Sequence, residues 1–521
     1  MRAARMSDVA AGRDDVAGAL VRRFEREGRA PVRIDTHISS VVLAGDRAWK
    51  LKKPVALGFL DFTHLQARRR FCEEEVRLNR RLAPALYLGV VPVYAAADGA
   101  SLEAGAGPVI DYAVAMTRLP DGALASERLA RGAFGAAELQ HLAARLVAFH
   151  HDAPVAGPGA VWGAPQTIGA AALATLEALA AEGDLPDAAL LREWLTARAA
   201  ELAPSWASRQ AGGHVREGHG DLHLENIVVL EEGVTAFDCI EFEPSLRWID
   251  TMNDIAFTVT DLWARGRKDL AFGFLDAVLE AGGDFDGLTV LRFYLVHRAL
   301  IRALVGRIKA RQGVAPWSGP SAGDCLRTAR QALVSTPRLL ITRGLPGSGK
   351  TWVSSRLLGH AGAVRIRSDV ERKRLAGLAA LDDSRGAGDL YGMAATEATY
   401  ARLATLAAPV LAAGWPTIVD GTFLGRAQRD RLRAVAARCE VPFAILDCVA
   451  PAAVLRERVS ARSARRDDAS EADLRVLERM LPAWQPLDAD EHAHRITADT
   501  AAEPAIAEWA AQWACAPVPR A

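Results

Sequence analysis

Hydrophobic and polar positions follow two different regimes along the chain. From Pro31 to Lys53, short alternating runs (PVRIDTHI, SVVLAG and RAWKLKK, with a Gly45-Asp46 turn before the last) predict an antiparallel meander. A helix is expected from His64 to Leu82, with Phe71, Glu75, Leu78 and Leu82 on one face. VVPVYAAADG and GPVIDYAVAMTRL predict a further hairpin. Residues 136–212 are rich in Ala and Leu at helical spacing. REGHGDLHLENIVVL and VTAFDCIEF then give a strand-loop-strand unit, and more helices end in FYLVHRALIRALVGRIKARQ. Beyond the Gly-, Pro- and Ser-rich stretch 313–323 the pattern becomes strand, helix, strand, helix. It runs through RLLITRG, a helix from Lys350, AVRIRSD, a helix near 389–412, TIVDGT, a helix near 426–438, and FAILDCVA. That order predicts a parallel sheet flanked by helices.

At 521 residues the chain exceeds what one core holds, since single cores rarely grow past roughly 250–300 residues. The expected division is an N-terminal extension (1–29), a first domain (30–312) with lobes at about 30–118 and 119–312, a linker (313–336) and a second domain (337–521). Lys+Arg and Asp+Glu both total 63, so nothing in the net charge points to a polyanion-coating role. Six cysteines lie far apart with no C-x-x-C pair, which argues against a disulfide framework or zinc knuckle. MRAARMSDVAAGRDD lacks the apolar core of a secretory signal. The uncharged run from Leu403 to Val419 is broken by Pro409, Gly414 and Pro416, so no membrane span is expected. A cytoplasmic location follows as the expectation.

Gly344-Leu345-Pro346-Gly347-Ser348-Gly349-Lys350-Thr351 satisfies G-x-x-x-x-G-K-[ST] between an apolar strand and a helix. Glycines at Gly344, Gly347 and Gly349, with Ser348, let backbone N–H groups curl around phosphate oxygens. Lys350 can reach the β/γ-phosphates, and Thr351 can ligate Mg²⁺. Asp369 is expected to end the next strand, with Arg372 three residues on. Asp420 ends TIVDGT, where a carboxylate would help hold Mg²⁺ through water. Arg456, Arg458, Arg462, Arg465 and Arg466 form a basic segment able to close over ATP. These residues resemble the small P-loop kinases, which include gluconate kinases, polynucleotide 5′-hydroxyl kinases and zeta-type toxins. The pattern is most similar to the polynucleotide-kinase type. That resemblance implies that Asp369 and Arg372 activate the acceptor hydroxyl and that Arg458 and Arg462 are lid arginines.

His219-Gly220-Asp221-Leu222-His223-Leu224-Glu225-Asn226 places an Asn five residues after an Asp, followed by a strand and Phe237-Asp238. Phosphoryl transfer needs a carboxylate beside the acceptor hydroxyl and oxygen ligands for Mg²⁺. Asp221 fits the base; Asn226 and Asp238 fit the metal ligands. A zinc site on His219 and His223 would want a helix, which Gly220 opposes. The loop resembles H-G-D-x-x-x-x-N of the aminoglycoside phosphotransferase-like family, whose architecture is that of protein kinases. The resemblance implies a strand lysine, Lys50 or its same-face rival Lys52, and a helix glutamate, Glu75 or Glu74. It also implies an adenine hinge at Met116–Leu119. The hairpin from Asp35 to Val42 contains no glycine, and Ser39 and Ser40 are the candidate substitutes. Arg247, Asp250, Asp254 and Asp261 read as a scaffold with Arg247 paired to Asp250, against the alternative of an acidic acceptor patch. His150 and His151 read as cap or core residues.

The fold expected is thus an α+β bilobal protein-kinase-like domain followed by an α/β P-loop NTPase domain with a parallel sheet. The pairing resembles a bacterial family of bifunctional kinases. ATP and Mg²⁺ are the expected cofactors. The first domain would phosphorylate a hydroxyl of a small molecule such as an amino sugar or aminoglycoside, and the second would act as another kinase. Two alternatives stand beside this. In one, a single active P-loop kinase acts on a nucleic-acid 5′-hydroxyl or a nucleotide sugar. In the other, a nucleotide-sensing regulator transfers nothing.

Overall fold

The computed structural model describes residues 15–57, 60–157, 159–312, 319–383, 390–465, 469–482 and 484–519. They pack as two units, one of residues up to Arg131 with Arg216–Ile249, the other of Gly132–Val215 with Asp250 onward.

The first unit is built on a six-stranded antiparallel sheet. Its strands are β1 (Val32–Asp35), β2 (Ser39–Ala44), β3 (Arg47–Lys52), β4 (Tyr87–Ala96), β5 (Gly99–Ser101) and β6 (Val109–Thr117), in the order β1-β2-β3-β6-β4-β5. Inside the stretch read as an extension, helix α1 (Val16–Arg26) buries Leu20 and Phe24. Spaced i, i+4, these two residues form one apolar stripe and join a core with Val42, Trp49 and Ala113. Helix α2 (Leu65–Asn79) buries Glu75 and Asn79 together with Cys72, Val76 and Leu78. The expected strand-loop-strand is the hairpin β7 (Ile227–Leu230) and β8 (Gly233–Ala236), with the His219–Asn226 loop before it.

The second unit holds helices α3 (Ala136–Asp152), α4 (Pro165–Ala181), α5 (Ala188–Ala211), α6 (Thr251–Ala264), α7 (Lys268–Gly282) and α8 (Leu288–Arg311). Residues 313–318, in the stretch read as a linker, lie outside the described residues. Ser321 then caps α9 (Ala322–Leu333), whose buried face is Cys325, Thr328, Ala329 and Ala332, so part of that stretch is packed helix. Next comes a five-stranded parallel sheet. It contains β9 (Arg338–Arg343), β10 (Val364–Arg367), β11 (Pro416–Asp420), β12 (Phe443–Val449) and β13 (Arg495–Asp499), ordered β10-β11-β9-β12-β13. Around it are α10 (Lys350–Ala361), α11 (Ser368–Leu375), α12 (Met393–Ala412), α13 (Arg426–Arg438), α14 (Ala452–Arg465), α15 (Leu474–Met480) and α16 (Ile506–Ala514). The apolar runs of β9, β11 and β12 are buried along their length, as central parallel strands require.

The helical stretch 132–215 and 250–312 therefore packs with the parallel sheet, although sequence order assigned it to the first domain. Trp415 explains part of this: it is buried, donates from Nε1 to the Leu288 carbonyl at 2.9 Å, and stacks under Arg292. Among the described residues no helix is long and apolar enough to cross a membrane.

Candidate active sites

Strand alternation puts Lys50 and Lys52 on one face of β3, and both reach Glu75 of α2, at 2.8 and 2.7 Å. Their second partners separate them. Lys50 Nζ lies 2.6 Å from Asp238 Oδ1, whereas Lys52 is fully buried and pairs with Glu241. Burial works to lower the Lys50 ammonium, but Asp238 and Glu75 outweigh it and hold the group well above its ordinary value. Burial likewise raises the Glu75 carboxyl, and the two lysines overcome it, keeping Glu75 ionised. Glu74 turns elsewhere, to Arg77 at 2.7 Å and Arg247 at 2.8 Å.

In the loop before β7, Asn226 Nδ2 donates to the Asp221 carbonyl and to Asp221 Oδ2, both at 3.0 Å. His223 Nε2 stands 3.2 Å from the same carboxylate oxygen. His219 accepts from the Asp221 N–H on Nδ1 (3.3 Å), so Nε2 carries the proton it donates to the Phe237 carbonyl at 2.9 Å. Gly220 allows the loop to close: its φ is +88°, and a Cβ there would sit 2.5 Å from the Leu246 carbonyl oxygen. Asp238 also adopts a left-handed backbone, φ +63°, and donates its N–H to the Tyr87 hydroxyl. Asn79 belongs to no sequence motif. It accepts from Cys239 N–H at 2.8 Å and donates to the Glu75 carbonyl at 2.9 Å, joining the glutamate's helix to the Asp238 turn. The available signals were weak: Asn79 falls four residues after Glu75 on the buried face of α2, and Glu241 stands between Ile240 and Phe242.

The expected pairing of Arg247 with Asp250 is corrected. Arg247 pairs with Glu217 and Glu74, while Asp250 is forked by Arg209 at 2.6 and 2.8 Å. Asp254 meets His150 at 3.0 Å, and Asp261 meets Arg265 at 3.0 Å, so this run is buried and paired with basic side chains of its own unit. Ser40 spends its hydroxyl on Asp35 at 2.6 Å, and the Ser39 N–H goes to Thr36 Oγ1. Met116 and Thr117 end β6, with Arg118 and Leu119 following.

The second site forms where β9 meets α10. Gly347 has φ +81°, and a Cβ there would lie 2.6 Å from the Leu455 carbonyl oxygen. A cavity of about 530 Å³ opens beside Gly347, Gly349, Lys350 and Thr351, walled by Arg458 and Arg462. Ser348 Oγ is buried in this loop without a hydrogen-bond partner, and Lys350 Nζ donates to the Leu345 carbonyl at 3.0 Å. An orphaned hydroxyl, a lysine and backbone amides fit a phosphate chain. Burial lowers the Lys350 ammonium, against the pull of Asp420. Asp420 accepts from Thr342 at 3.0 Å and Ser354 at 3.1 Å. Asp369 lies in the first turn of α11, just past β10, and with Arg372, Tyr400 and Asp420 lines a cavity of about 80 Å³ across Lys350 and Thr351. Arg372 Nη1 donates to the Leu390 carbonyl at 2.7 Å. Arg458 is anchored to Thr500 at 2.9 and 2.8 Å, and Arg462 to the Ala472 carbonyl at 2.8 Å. The Arg465 side chain and Arg466 lie outside the described residues.

Comparison with known proteins matches the regions that carry the two sites. Residues 45–294 match the phosphotransferase enzyme family, and residues 339–487 match an AAA domain. An uncharacterized protein of Mycobacterium tuberculosis (strain ATCC 25618 / H37Rv) is 30% identical over 480 residues, covering 90% of this chain and 92% of that protein. The chain belongs to the phosphotransferase enzyme family, joined to a P-loop AAA domain. This phosphotransferase is also similar to two solved structures. A sugar kinase from Janibacter sp. HTCC2649 is 22% identical, covering 36% of this chain and 99% of that one, with a TM-score of 0.28. A Plasmodium vivax ethanolamine kinase is 10% identical, covering 63% and 96%, with a TM-score of 0.37. The two family matches make the protein an ATP-dependent kinase with two kinase-type domains.

Proposed function

We propose that the first site transfers the γ-phosphoryl group of ATP to a hydroxyl of a small molecule, an amino sugar, aminoglycoside or similar compound, with Asp221 taking the hydroxyl proton. The observation that carries this reading is Lys50, held between Glu75 and Asp238 in the unit that also holds the Asp221–Asn226 loop. ATP supplies the phosphoryl group, with Mg²⁺ screening its charge. Asn226 and Asp238 offer two oxygen donors, which suits Mg²⁺ because that ion keeps waters and phosphate oxygens as its other ligands. Lys50 would hold phosphate oxygens, and Glu75 keeps Lys50 placed and charged. Asn226 and His223 orient the Asp221 carboxylate for the proton it accepts.

The P-loop domain would be a second kinase. Lys350 and Thr351 would hold the phosphates and Mg²⁺, with Asp420 behind them. Asp369 would act as base, and Arg372, Arg458 and Arg462 would steady the transferring charge. The confined space beside Asp369 favours a small acceptor.

The test offers γ-labelled ATP with a small-molecule extract and, separately, with 5′-hydroxyl oligonucleotides. Wild type is run beside Asp221→Asn and Lys350→Ala. Removing a general base slows transfer by about 10²–10⁴. Label entering a small molecule and lost in Asp221→Asn is the expected result. Label lost only in Lys350→Ala would move the chemistry to the P-loop domain. No transfer to either pool, with ATP still bound, would favour a regulatory role.

A further inference from the structure

Helix α7 precedes the P-loop domain in sequence, yet its side chains reach the underside of the nucleotide site. Gly359 of α10 runs so close to α7 that an added Cβ would lie 2.9 Å from Asp269 Cα. Further along α7, Asp276 forks Arg365 of β10, with Nε to Oδ1 at 3.2 Å and Nη2 to Oδ2 at 2.5 Å. One turn on, Glu280 accepts from Arg365 at 3.2 Å and from Arg367 at 3.3 Å. The remaining nitrogen of Arg365 faces the other way. Nη1 donates to Ser355 Oγ at 2.7 Å, Ser354 Oγ at 3.1 Å and the Thr351 carbonyl at 3.3 Å, all on the first turns of α10. It also stands 3.9 Å from Asp420 Oδ2. Arg365 and Asp276 are both buried. A buried guanidinium takes the nearest uncompensated carboxylate, because an unpaired ion there costs several kcal/mol.

We propose that Asp276 is a positioning residue of the P-loop site. By engaging Arg365 it holds that cation 3.9 Å from Asp420 and keeps it from closing to hydrogen-bond distance, and so leaves Asp420 to Thr342, Ser354 and the divalent cation that accompanies the nucleotide. The inference rests on the reading of the P-loop as a nucleotide site. It means that a helix outside the AAA match is a working part of that site.

The test uses the full chain carrying Lys50→Ala, which removes the phosphate lysine of the first site. Binding of a fluorescent, non-hydrolysable ATP analogue is followed while Mg²⁺ is titrated, and circular dichroism checks folding. Asp276→Asn is expected to raise the half-saturating Mg²⁺ concentration about tenfold, the scale of a coupled buried pair. Asp276→Asn combined with Arg365→Gln should bring the midpoint back to within about threefold of the parent, because the stray cation is gone. An unchanged midpoint in folded Asp276→Asn overturns the proposal. So does a double variant displaced as far as the single, since that would mean lost packing alone. If Asp276→Asn does not fold, Glu280→Gln decides: a midpoint raised about threefold supports the role, and an unchanged one overturns it. Lys350→Ala separates the two readings. If the analogue still binds in that variant as in the parent, the nucleotide reading of the P-loop fails, whatever Asp276 does.

Discussion

Lys50 and Lys52 differ by one carboxylate each, and that difference predicts two distinct phenotypes. Lys52 is fully buried between Glu75 and Glu241, with the Phe62 ring 5.3 Å from its ammonium. Lys52→Met leaves Glu75 with Lys50 but strands the buried Glu241, and removing one partner of a buried pair costs about 3–5 kcal/mol. Urea denaturation should show that loss. Lys50→Met leaves Glu75 with Lys52 and should fold normally, yet lose about 10²-fold in small-molecule phosphorylation, as expected when one charge-stabilising donor is removed. Equal stability losses in the two variants would defeat the assignment. The sequence could not make it, because a period of two places both lysines on one face. The glutamate was better marked, since Glu75 stands seven residues before Leu82 on the face it shares with Leu78 and Leu82, and α2 buries Glu75 and Leu78 but not Glu74. Asn79 and Glu241 carry no motif. Their roles come from partners about 160 and 190 positions away.

At the scale of elements, what was legible is what is local. The strand, loop and helix of the P-loop are contiguous in sequence, so spacing alone located them. β13 was not foreseen. Its residues alternate exposed and buried at the sheet's edge, and so short a polar-interrupted run gives little pattern to read. Asp369 was expected at a strand end and sits in a helix's first turn, within the uncertainty of any element boundary. The loop's geometry predicts that Gly347→Ala will abolish detectable analogue binding at the P-loop while transfer at the first site persists. The added Cβ meets a backbone carbonyl at 2.6 Å, and a left-handed alanine costs a further ~1–2 kcal/mol. Retained binding would show that the loop opens without loss. Helix α8 offers a pH test. His297 is buried on it, with Thr175 at 3.2 Å from Nε2 and no partner for Nδ1. Burial first, and Arg298 second, hold its pKa down to about 3. The unfolded chain binds a proton near the ordinary value of 6.5 that the folded chain refuses. Its contribution is therefore complete above pH 6.5 and is lost as pH falls towards 3. Between pH 7 and 5 the wild type should lose about 2 kcal/mol more than His297→Leu. Parallel losses in both proteins would mean that His297 already carries a proton when folded.

For the whole molecule, the boundary read from the linker and the boundary drawn by packing differ, and a prediction follows from the difference. Composition put the break at 313–336, yet α7 and α8 pack in one unit with the parallel sheet. Among the contacts between them are a cation over a ring, a ring edge and a buried ion pair, which no periodicity announces. Arg292 donates to the Gly414 carbonyl at 3.0 Å and covers the Trp415 ring, Phe272 meets that ring edge-on, and Asp276 neutralises Arg365. A chain of residues 337–521 alone would expose Trp415 and leave Arg365 without its α7 partners. Truncation turns the apolar surface around Trp415, with its Phe272 contact, out to water. Burying one large side chain contributes about 1.5–3 kcal/mol, so two or more such losses amount to several kcal/mol. For a module of this size each kcal/mol lowers the melting temperature by about 2–4 °C, so the isolated domain should melt about 10 °C or more below residues 250–521. Its nucleotide affinity should fall as well, because the first turns of α10 rest on Arg365. Differential scanning calorimetry of the two fragments beside the full chain makes the comparison. If 337–521 melts at the temperature it shows within the full chain and binds nucleotide as tightly, the AAA domain stands alone and α7 is merely its neighbour. If only the longer fragment does so, the unit that folds around the second site begins inside the phosphotransferase match, and sequence order and physical domain have parted company there.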